Sequence, residues 1–123
     1  MATQSLDITS IMVSADTVSG IFSLNNTNKQ TVTFDNTNVS SATTELTTSY
    51  VEYIAAAVSE DTYVYIKNLS TTSNVLMANA GSQEWGIVLP GEWNFFSVVG
   101  GKGLEFKGSA SGVDVEYALF RKP

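Results

Sequence analysis

The side chains that could do chemistry in this chain are carboxylates, because its 123 residues include no histidine and no cysteine. Those two residue types supply the commonest general bases, nucleophiles and metal ligands. Glu84 and Glu92 flank a predicted hairpin at Pro90-Gly91, and a glycosidase uses two carboxylates that face one sugar ring about 5–10 Å apart. A small β-domain leaves little room for such a cleft. The sequence therefore favours a non-enzymatic protein with no catalytic residue, metal ligand or cofactor.

Four aromatic residues are the candidates for binding: Trp85, Trp93, Tyr63 and Tyr65. One interpretation is a platform that stacks on sugars. The other is that they fill the core and cover contacts between subunits, because aromatic side chains bury about 150–250 Å² each and dominate cores and interfaces. The second interpretation is favoured in a chain of this size. We predict that these four residues, together with Leu6 near the N-terminus, contact a second copy or another partner.

Charge and composition limit the classes of partner. The formal net charge is −6 with only six basic residues, and the lysines stand apart from one another. Nucleic acid and anionic membranes are bound by clustered lysine and arginine, so neither is predicted as a partner. The first residues lack a signal-peptide pattern, and the apolar runs are far shorter than the ~20 residues of a transmembrane helix. A soluble, single-domain protein is expected, with no disulfide framework.

The second half of the chain consists of short alternating segments separated by turn residues. The run 113–119 alternates apolar with acidic or small residues, as in a half-buried strand. Pro90-Gly91 predicts a type II turn between strands at 85–89 and 92–99, since proline fixes φ and glycine accepts a positive φ. Residues 50–58 fit a strand or a helix: the β-branched and aromatic start favours a strand, and the alanine triplet favours a helix. We favour the strand.

The first 49 residues are rich in serine, threonine and asparagine. Tetrapeptides at 25–28 and 35–38 predict turns on either side of an alternating strand at 29–34. The second tetrapeptide has oxygen ligands at calcium-loop offsets but a single carboxylate, so a plain turn is favoured. We predict that residues 1–7 form an arm that reaches a neighbour and that 8–123 form the domain. Alternatively, the whole first zone is an extended arm ordered against a neighbour.

Together these patterns predict the fold class. Turn signals recur about every 8–12 residues, which is typical of a sandwich or barrel. We expect an all-β chain that folds as a single antiparallel β-sandwich or a jelly-roll-like barrel of eight to ten strands.

Three segments occur in a recognisable order: a strand ending in Lys67-Asn68, a Leu-Pro-Gly-Glu turn at 89–92 followed by Trp93, and a closing strand at 115–120. This succession, which covers about residues 62–120, resembles small structural proteins of tailed bacteriophages. The resemblance implies a virion component, either a capsid decoration (cement) protein or a tail, neck, adaptor or fibre part. It supplies no catalytic residues.

A decoration protein of this kind is expected to be a homotrimer, because closed rings cover sheet edges and apolar patches in one repeated interface. Its other expected partner is the major capsid protein, or another virion protein, and its location is the virion after assembly in the host cytoplasm. A carbohydrate-binding module that uses Trp85 and Trp93 is the alternative from a different class. A small hydrolase built on Glu84 and Glu92 is a third.

Overall fold

The structure, a computed structural model, describes residues 3–8, 11–17, 20–26, 30–35 and 39–123. These ranges contain twelve β-strands and no α-helix. In chain order the strands are β1 (Thr3–Ile8), β2 (Ile11–Thr17), β3 (Gly20–Asn26), β4 (Gln30–Asp35), β5 (Val39–Leu46), β6 (Val51–Ile54), β7 (Thr62–Asn68), β8 (Val75–Asn79), β9 (Gln83–Val88), β10 (Trp93–Val98), β11 (Leu104–Gly108) and β12 (Val113–Arg121). None of the described ranges holds a helix that could span a membrane.

Eight of the strands form a sandwich of two four-stranded antiparallel sheets. The first sheet has the order β10-β7-β12-β5, and the second sheet has the order β6-β11-β8-β9. From β5 onward, the chain crosses from one sheet to the other at every connection except the one between β8 and β9, which are neighbours in the second sheet. The predicted antiparallel β-sandwich is confirmed, and the two sheets do not close into a barrel.

The core lies between the two sheets because successive residues of a strand point to opposite faces. In β7 every second residue from Thr62 to Asn68 is buried, and the residues between them are partly exposed. Phe106 of the second sheet is the largest fully buried side chain, and burying a phenylalanine contributes about 2–3 kcal/mol. The core cluster consists of Leu46, Ile54, Val64, Ile66, Val75, Met77, Val88, Val98, Leu104, Phe106, Val113, Val115 and Leu119.

The first four strands form two further antiparallel pairs, β1 with β4 and β2 with β3. Phe34 of β4 is buried, and its ring packs edge-on against Phe120 of β12 with the centroids 5.0 Å apart. This contact joins the β1–β4 pair to the first sheet. The division into an arm at 1–7 and a domain at 8–123 stays a prediction.

The predictions for the first zone have mixed outcomes. The strand expected at 29–34 is confirmed for residues 30–34, which belong to β4. The turn expected at 25–28 is wrong for Asn25 and Asn26, which pair with β2, because strand pairing overrides the local turn preference of asparagine. The rest of that tetrapeptide and residues 36–38, which include most of the weighed calcium loop, lie outside the described residues.

In the second zone, the strand favoured at 50–58 is confirmed for residues 51–54 only. The alanine triplet lies outside β6, and the Val58 N–H donates to the Ala55 carbonyl (3.0 Å), which closes a turn. Alanine is a weak strand former, so the strand ends where the triplet begins.

The turn at Pro90-Gly91 is confirmed, but its expected role is wrong. The Glu92 N–H donates to the Leu89 carbonyl (3.0 Å), and Gly91 has a φ of 76°, as a type II turn requires. The flanking strands do not form a hairpin, because β9 belongs to the second sheet and β10 to the first. Local residues determine the shape of a turn, whereas long-range contacts determine which strands pair.

Candidate interaction surface

One side of the sandwich is formed by the neighbouring edges of the two sheets. β10 is an outermost strand of the first sheet and β9 an outermost strand of the second. The rings of Trp85 and Phe96 meet edge-to-face between them, with centroids 5.5 Å apart. An open cleft of about 560 Å³ lies there, with Gln83, Val98 and Lys102 among its lining residues. Each strand therefore presents an unpaired backbone edge on the same side of the molecule.

Exposed apolar side chains lie on and beside β9 and β10. Among the residues whose side chains the structure describes, seven large apolar side chains are exposed, and five of them lie between residues 85 and 99. We call these five the apolar edge: Trp85, Ile87, Leu89, Trp93 and Val99, which are between 44% and 64% exposed. Unpaired strand edges with exposed apolar side chains on and beside their strands mark a surface suited to protein contacts.

A β-bulge places Trp85 on the apolar edge. Met77 of β8 lies opposite Gly86, but the next residue, Ala78, lies opposite Glu84, so Trp85 is the extra residue of β9. A bulge bends its strand and redirects a side chain. The sequence marks Trp85 as a contact candidate but carries no signal for the bulge, since a bulge is defined by pairing between strands.

Four aromatic side chains lie on the outer face of the first sheet. Tyr63 and Tyr65 occupy the outward positions of β7, and the register places Phe95 of β10 opposite Tyr65. The Tyr65 and Trp93 ring centroids are 6.4 Å apart, and those of Tyr63 and Phe95 are 6.1 Å apart. These are diagonal neighbours, which aromatic side chains are long enough to bring into contact. We call Tyr63, Tyr65, Trp93 and Phe95 the aromatic row.

The structure thus brings together three of the predicted contact residues, Tyr63, Tyr65 and Trp93. Trp85 belongs to the other sheet, so the two tryptophans of the alternative sugar platform lie in different layers. Phe95 was missed, although its spacing of two from Trp93 places both residues on one face of a strand. Leu6 lies in β1 opposite Val32, and its role as a contact stays a prediction.

Polar groups flank the aromatic row. The Tyr65 hydroxyl donates to Glu116 Oε1 (3.1 Å), and Lys122 Nζ lies 4.7 Å from the Tyr63 ring centroid, within cation–π distance. Burial, with a smaller contribution from the Glu116 hydrogen bond, raises the pKa of Tyr65. The row therefore combines flat apolar rings with one carboxylate and one ammonium group.

The two carboxylates considered for acid–base chemistry have different surroundings. The Tyr50 hydroxyl donates to the Glu84 carboxylate, and Lys107 Nζ lies 3.9 Å from Glu84 Oε1. Burial first, and then Glu84, raise the pKa of Tyr50 to about 12. Glu92 lies at the end of the Leu89–Glu92 turn, where its N–H donates to the Leu89 carbonyl and its carbonyl accepts from the Asn68 N–H. That the chain is non-enzymatic stays a prediction, with catalysis by this pair as the alternative. Within the described ranges, no three acidic side chains are placed to hold a metal ion.

Asn68 fixes the turn beside the apolar edge. Its side chain is fully buried, and its amide donates to the carbonyls of Val88 (3.0 Å) and Ser73 (2.8 Å). Its backbone N–H donates to the Glu92 carbonyl (2.9 Å), and its carbonyl accepts from the Gly91 N–H (3.1 Å). One residue therefore joins the ends of β7 and β9 to the turn. The sequence signal was an asparagine at an inward position of an alternating strand.

Comparison of the chain with known protein families, with curated proteins and with solved structures finds no match. The apolar edge and the aromatic row are therefore the features from which its function has to be inferred.

Proposed function

We propose that this chain is a non-enzymatic structural protein of a virion. In its most direct form it is a capsid decoration (cement) protein that assembles as a homotrimer and binds the major capsid protein to stabilise the shell. The observation that carries the proposal is the apolar edge, because two adjacent unpaired strand edges with five exposed apolar side chains suit contact with protein.

The three segments that resemble phage structural proteins are contiguous in space, which supports the proposal. The Asn68 N–H donates to the Glu92 carbonyl, and the Gly91 N–H donates to the Asn68 carbonyl, so the end of β7 is bonded to the turn. β12, the closing strand, is the sheet neighbour of β7. The resemblance therefore concerns one structural unit rather than three separate patterns.

A closed ring would cover the unpaired edges of β9 and β10. An exposed strand edge with apolar side chains pairs readily with another chain, and cyclic symmetry limits that pairing to a defined number of copies. Three copies would cover the apolar edge in one repeated interface. Each copy would keep other surfaces free for the capsid.

The assembly step is tested by a charge placed on the apolar edge. Ile87→Lys should convert a trimer of 13.2 kDa chains into monomers, because a buried, unpaired ammonium group is strongly unfavourable in an interface. Val51→Lys is the matched control, since Val51 is 46% exposed against 48% for Ile87 and lies on the opposite edge of the second sheet. Light scattering coupled to size-exclusion chromatography measures both masses. Equal masses for the two variants would contradict a role for the apolar edge.

The virion role is tested by sedimentation with shells assembled from the major capsid protein of the genome that encodes the chain. We expect saturable binding with a fixed ratio of decoration trimers to capsid subunits. A trimer that binds tail or neck proteins of the same genome, and not shells, would support the tail, neck or fibre alternative. A trimer that binds no virion protein would contradict the virion role.

The aromatic row supports a second candidate, a carbohydrate-binding module. Trp93 is 53% exposed and lies beside Tyr65, with the Glu116 carboxylate available for sugar hydroxyls. Tryptophan fluorescence across a glycan panel tests it. A response that Trp93→Ala abolishes and Trp85→Ala retains would favour the module, and no response to any glycan would exclude it.

A further inference from the structure

The outer face of the first sheet continues past the aromatic row to β12 and β5. In the strand order β10-β7-β12-β5, the aromatic row lies on the first two strands, so the last two form the other half of the face. In the register, Tyr65 lies opposite Ala118, and Ala118 lies opposite Ser41. Residues opposite each other in antiparallel strands share a face. Side chains from all four strands therefore form one surface.

A depression lies in this surface beside the aromatic row. It is a cleft of about 360 Å³, and its lining residues include Ser41, Thr43, Tyr65, Glu116 and Ala118. The side chain of Ala118 is a single methyl group between Tyr65 and Ser41, so the surface is low at this point. Ser41, Thr43 and Glu116 are exposed. We call this depression the Ala118 cleft.

The Ala118 cleft offers hydroxyl and carboxylate groups to a ligand. Serine and threonine hydroxyls both donate and accept hydrogen bonds, and an ionised carboxylate accepts about four. The Tyr65 hydroxyl donates to Glu116 Oε1 (3.1 Å), so the carboxylate keeps acceptor capacity for a ligand. Tyr65 belongs to the aromatic row and also lines the cleft. The two features are therefore adjoining parts of one site.

The backbone of this face is already paired. β7 pairs with β10 and β12, and β12 pairs with β7 and β5, so both strands have a neighbour on each side. A peptide that binds by strand addition needs a free edge. Recognition on this face therefore depends on side chains, with aromatic rings in one half and hydroxyl and carboxylate groups in the other.

The charges around the site are balanced. Lys67 of β7 lies opposite Glu116 of β12 and opposite Trp93 of β10. At the other end of the aromatic row, Lys122 Nζ lies 4.0 Å from Asp61 Oδ2. Electrostatic complementarity therefore favours a ligand without net charge. The net charge of −6 on the whole chain further disfavours an anionic ligand.

The length of the site indicates an oligomeric ligand. Trp93, which is 53% exposed, and Thr43 lie at opposite ends of one row of side chains that crosses all four strands. Neighbouring strands lie about 4.8 Å apart, so the three spacings from β10 to β5 measure about 14 Å. A single sugar ring reaches one end of this row, whereas a short oligosaccharide reaches both.

We infer that the aromatic row and the Ala118 cleft form one binding site for a neutral oligosaccharide, which crosses the strands from Trp93 to Thr43. A sugar ring has an apolar face that stacks on aromatic side chains and hydroxyls that bond to polar ones. This inference rests on the carbohydrate-binding candidate and extends its site to β12 and β5.

Two substitutions in the cleft test the site. Ala118→Leu fills the depression, and Thr43→Val removes a hydroxyl at the far end while nearly keeping the size of the side chain. Thr48→Val is the matched control, because Thr48 is also exposed and lies outside the cleft. Isothermal titration calorimetry measures binding of neutral glucose, galactose and N-acetylglucosamine series, from monosaccharide to hexasaccharide. Circular dichroism and light scattering check the fold and the mass of each variant, since Trp93 also belongs to the apolar edge.

Affinity for one of these series should rise with chain length in the wild type. We expect Ala118→Leu and Thr43→Val each to weaken binding of the longer oligosaccharides by about tenfold. Neither should change binding of the monosaccharide, which needs only the aromatic row. Thr48→Val should bind as the wild type does.

Three results would overturn the inference. Oligosaccharide binding that neither cleft substitution weakens would remove the cleft from the site and leave the carbohydrate candidate standing. Tighter binding of sialyllactose than of any neutral glycan would contradict the neutral class of ligand. No binding of any glycan would overturn the carbohydrate candidate as well, while the oligomer mass and the binding to shells would still decide the virion role.

Discussion

Buried hydrogen bonds of a single residue hold the two sheets together at one end of the sandwich. Asn68 is fully buried, donates to the carbonyls of Val88 and Ser73, and accepts from the Ser70 N–H (2.9 Å). Buried polar groups are normally satisfied, and removing one partner leaves the others unpaired in a region without water. Asn68 therefore contributes more to stability than its size suggests.

Replacing Asn68 should destabilise the fold strongly. Asn68→Ala leaves two carbonyls and one N–H without their partner, and we expect a loss of about 2–4 kcal/mol in the free energy of unfolding. Asn79→Ala is the matched control, because Asn79 is half-buried and donates one 3.3 Å hydrogen bond to Gly103. Urea unfolding measures both variants. Equal losses would contradict the special role of the buried amide.

Tyr50 gives stability a dependence on alkaline pH. Its folded pKa is raised from 10.0 to about 12, so the folded state holds the phenolic proton more tightly than the unfolded chain does. The stabilisation is complete below the unfolded pKa and is lost as pH rises through the folded value. The free energy of unfolding, measured from about pH 9 to about pH 12, should therefore fall more steeply for the wild type than for Tyr50→Phe. Parallel pH profiles would show that Glu84 and burial do not act on this hydroxyl.

Among elements, the Leu89–Glu92 turn shows what local sequence can and cannot predict. Pro90 and Gly91 specify the turn because they restrict and permit particular φ values, and the structure confirms it. The same residues say nothing about whether the flanking strands pair with each other. That choice depends on β7 and β8, which pair with β10 and β9 respectively.

Gly91 is required by its backbone conformation and not by space. Its φ is 76°, and a Cβ built there would meet no atom within 4 Å. Gly91→Ala should cost about 1–2 kcal/mol of stability, since the left-handed region is unfavourable for residues with a Cβ. Gly91→Asn should cost less, because asparagine tolerates that region. Thermal unfolding of the pair measures the difference, and an Asn variant less stable than the Ala variant would contradict this explanation.

For the whole molecule, the fold class was predictable and the binding surfaces were predictable only in part. Alternation is a local property, so strands such as β7 and β12 could be read from residues 62–68 and 113–121. The apolar edge depends on sheet order, which is determined by contacts between residues distant in sequence. Trp85 and Trp93 were identified as contact candidates because aromatic residues dominate interfaces, but their separation into two sheets depends on the crossover between β9 and β10.

The net charge of the whole molecule predicts how its assembly responds to salt. Copies with a charge of −6 repel one another, and salt shortens the range of that repulsion to about 10 Å at 0.1 M. Screening should strengthen an interface formed by the apolar edge, because it weakens the repulsion between copies and such an interface does not depend on ion pairs. The dissociation constant of the oligomer should therefore fall as sodium chloride rises from about 0.05 M to about 0.5 M, as measured by analytical ultracentrifugation.

Glu92→Gln measures how much a charge within the proposed interface contributes to the repulsion between copies. It removes the one charged side chain between residues 85 and 99, so this variant should assemble more tightly than the wild type at low salt and respond less to added salt. Lys102→Gln is the control for the sign of the charge change; Lys102 lines the cleft beside the apolar edge, and its replacement makes each copy more acidic and should weaken assembly at low salt. An oligomer that dissociates as salt rises would mean that ion pairs hold the copies together, because screening weakens attraction between opposite charges as it weakens repulsion. The apolar edge would then be exposed in the assembled protein, and a different surface would have to join the subunits.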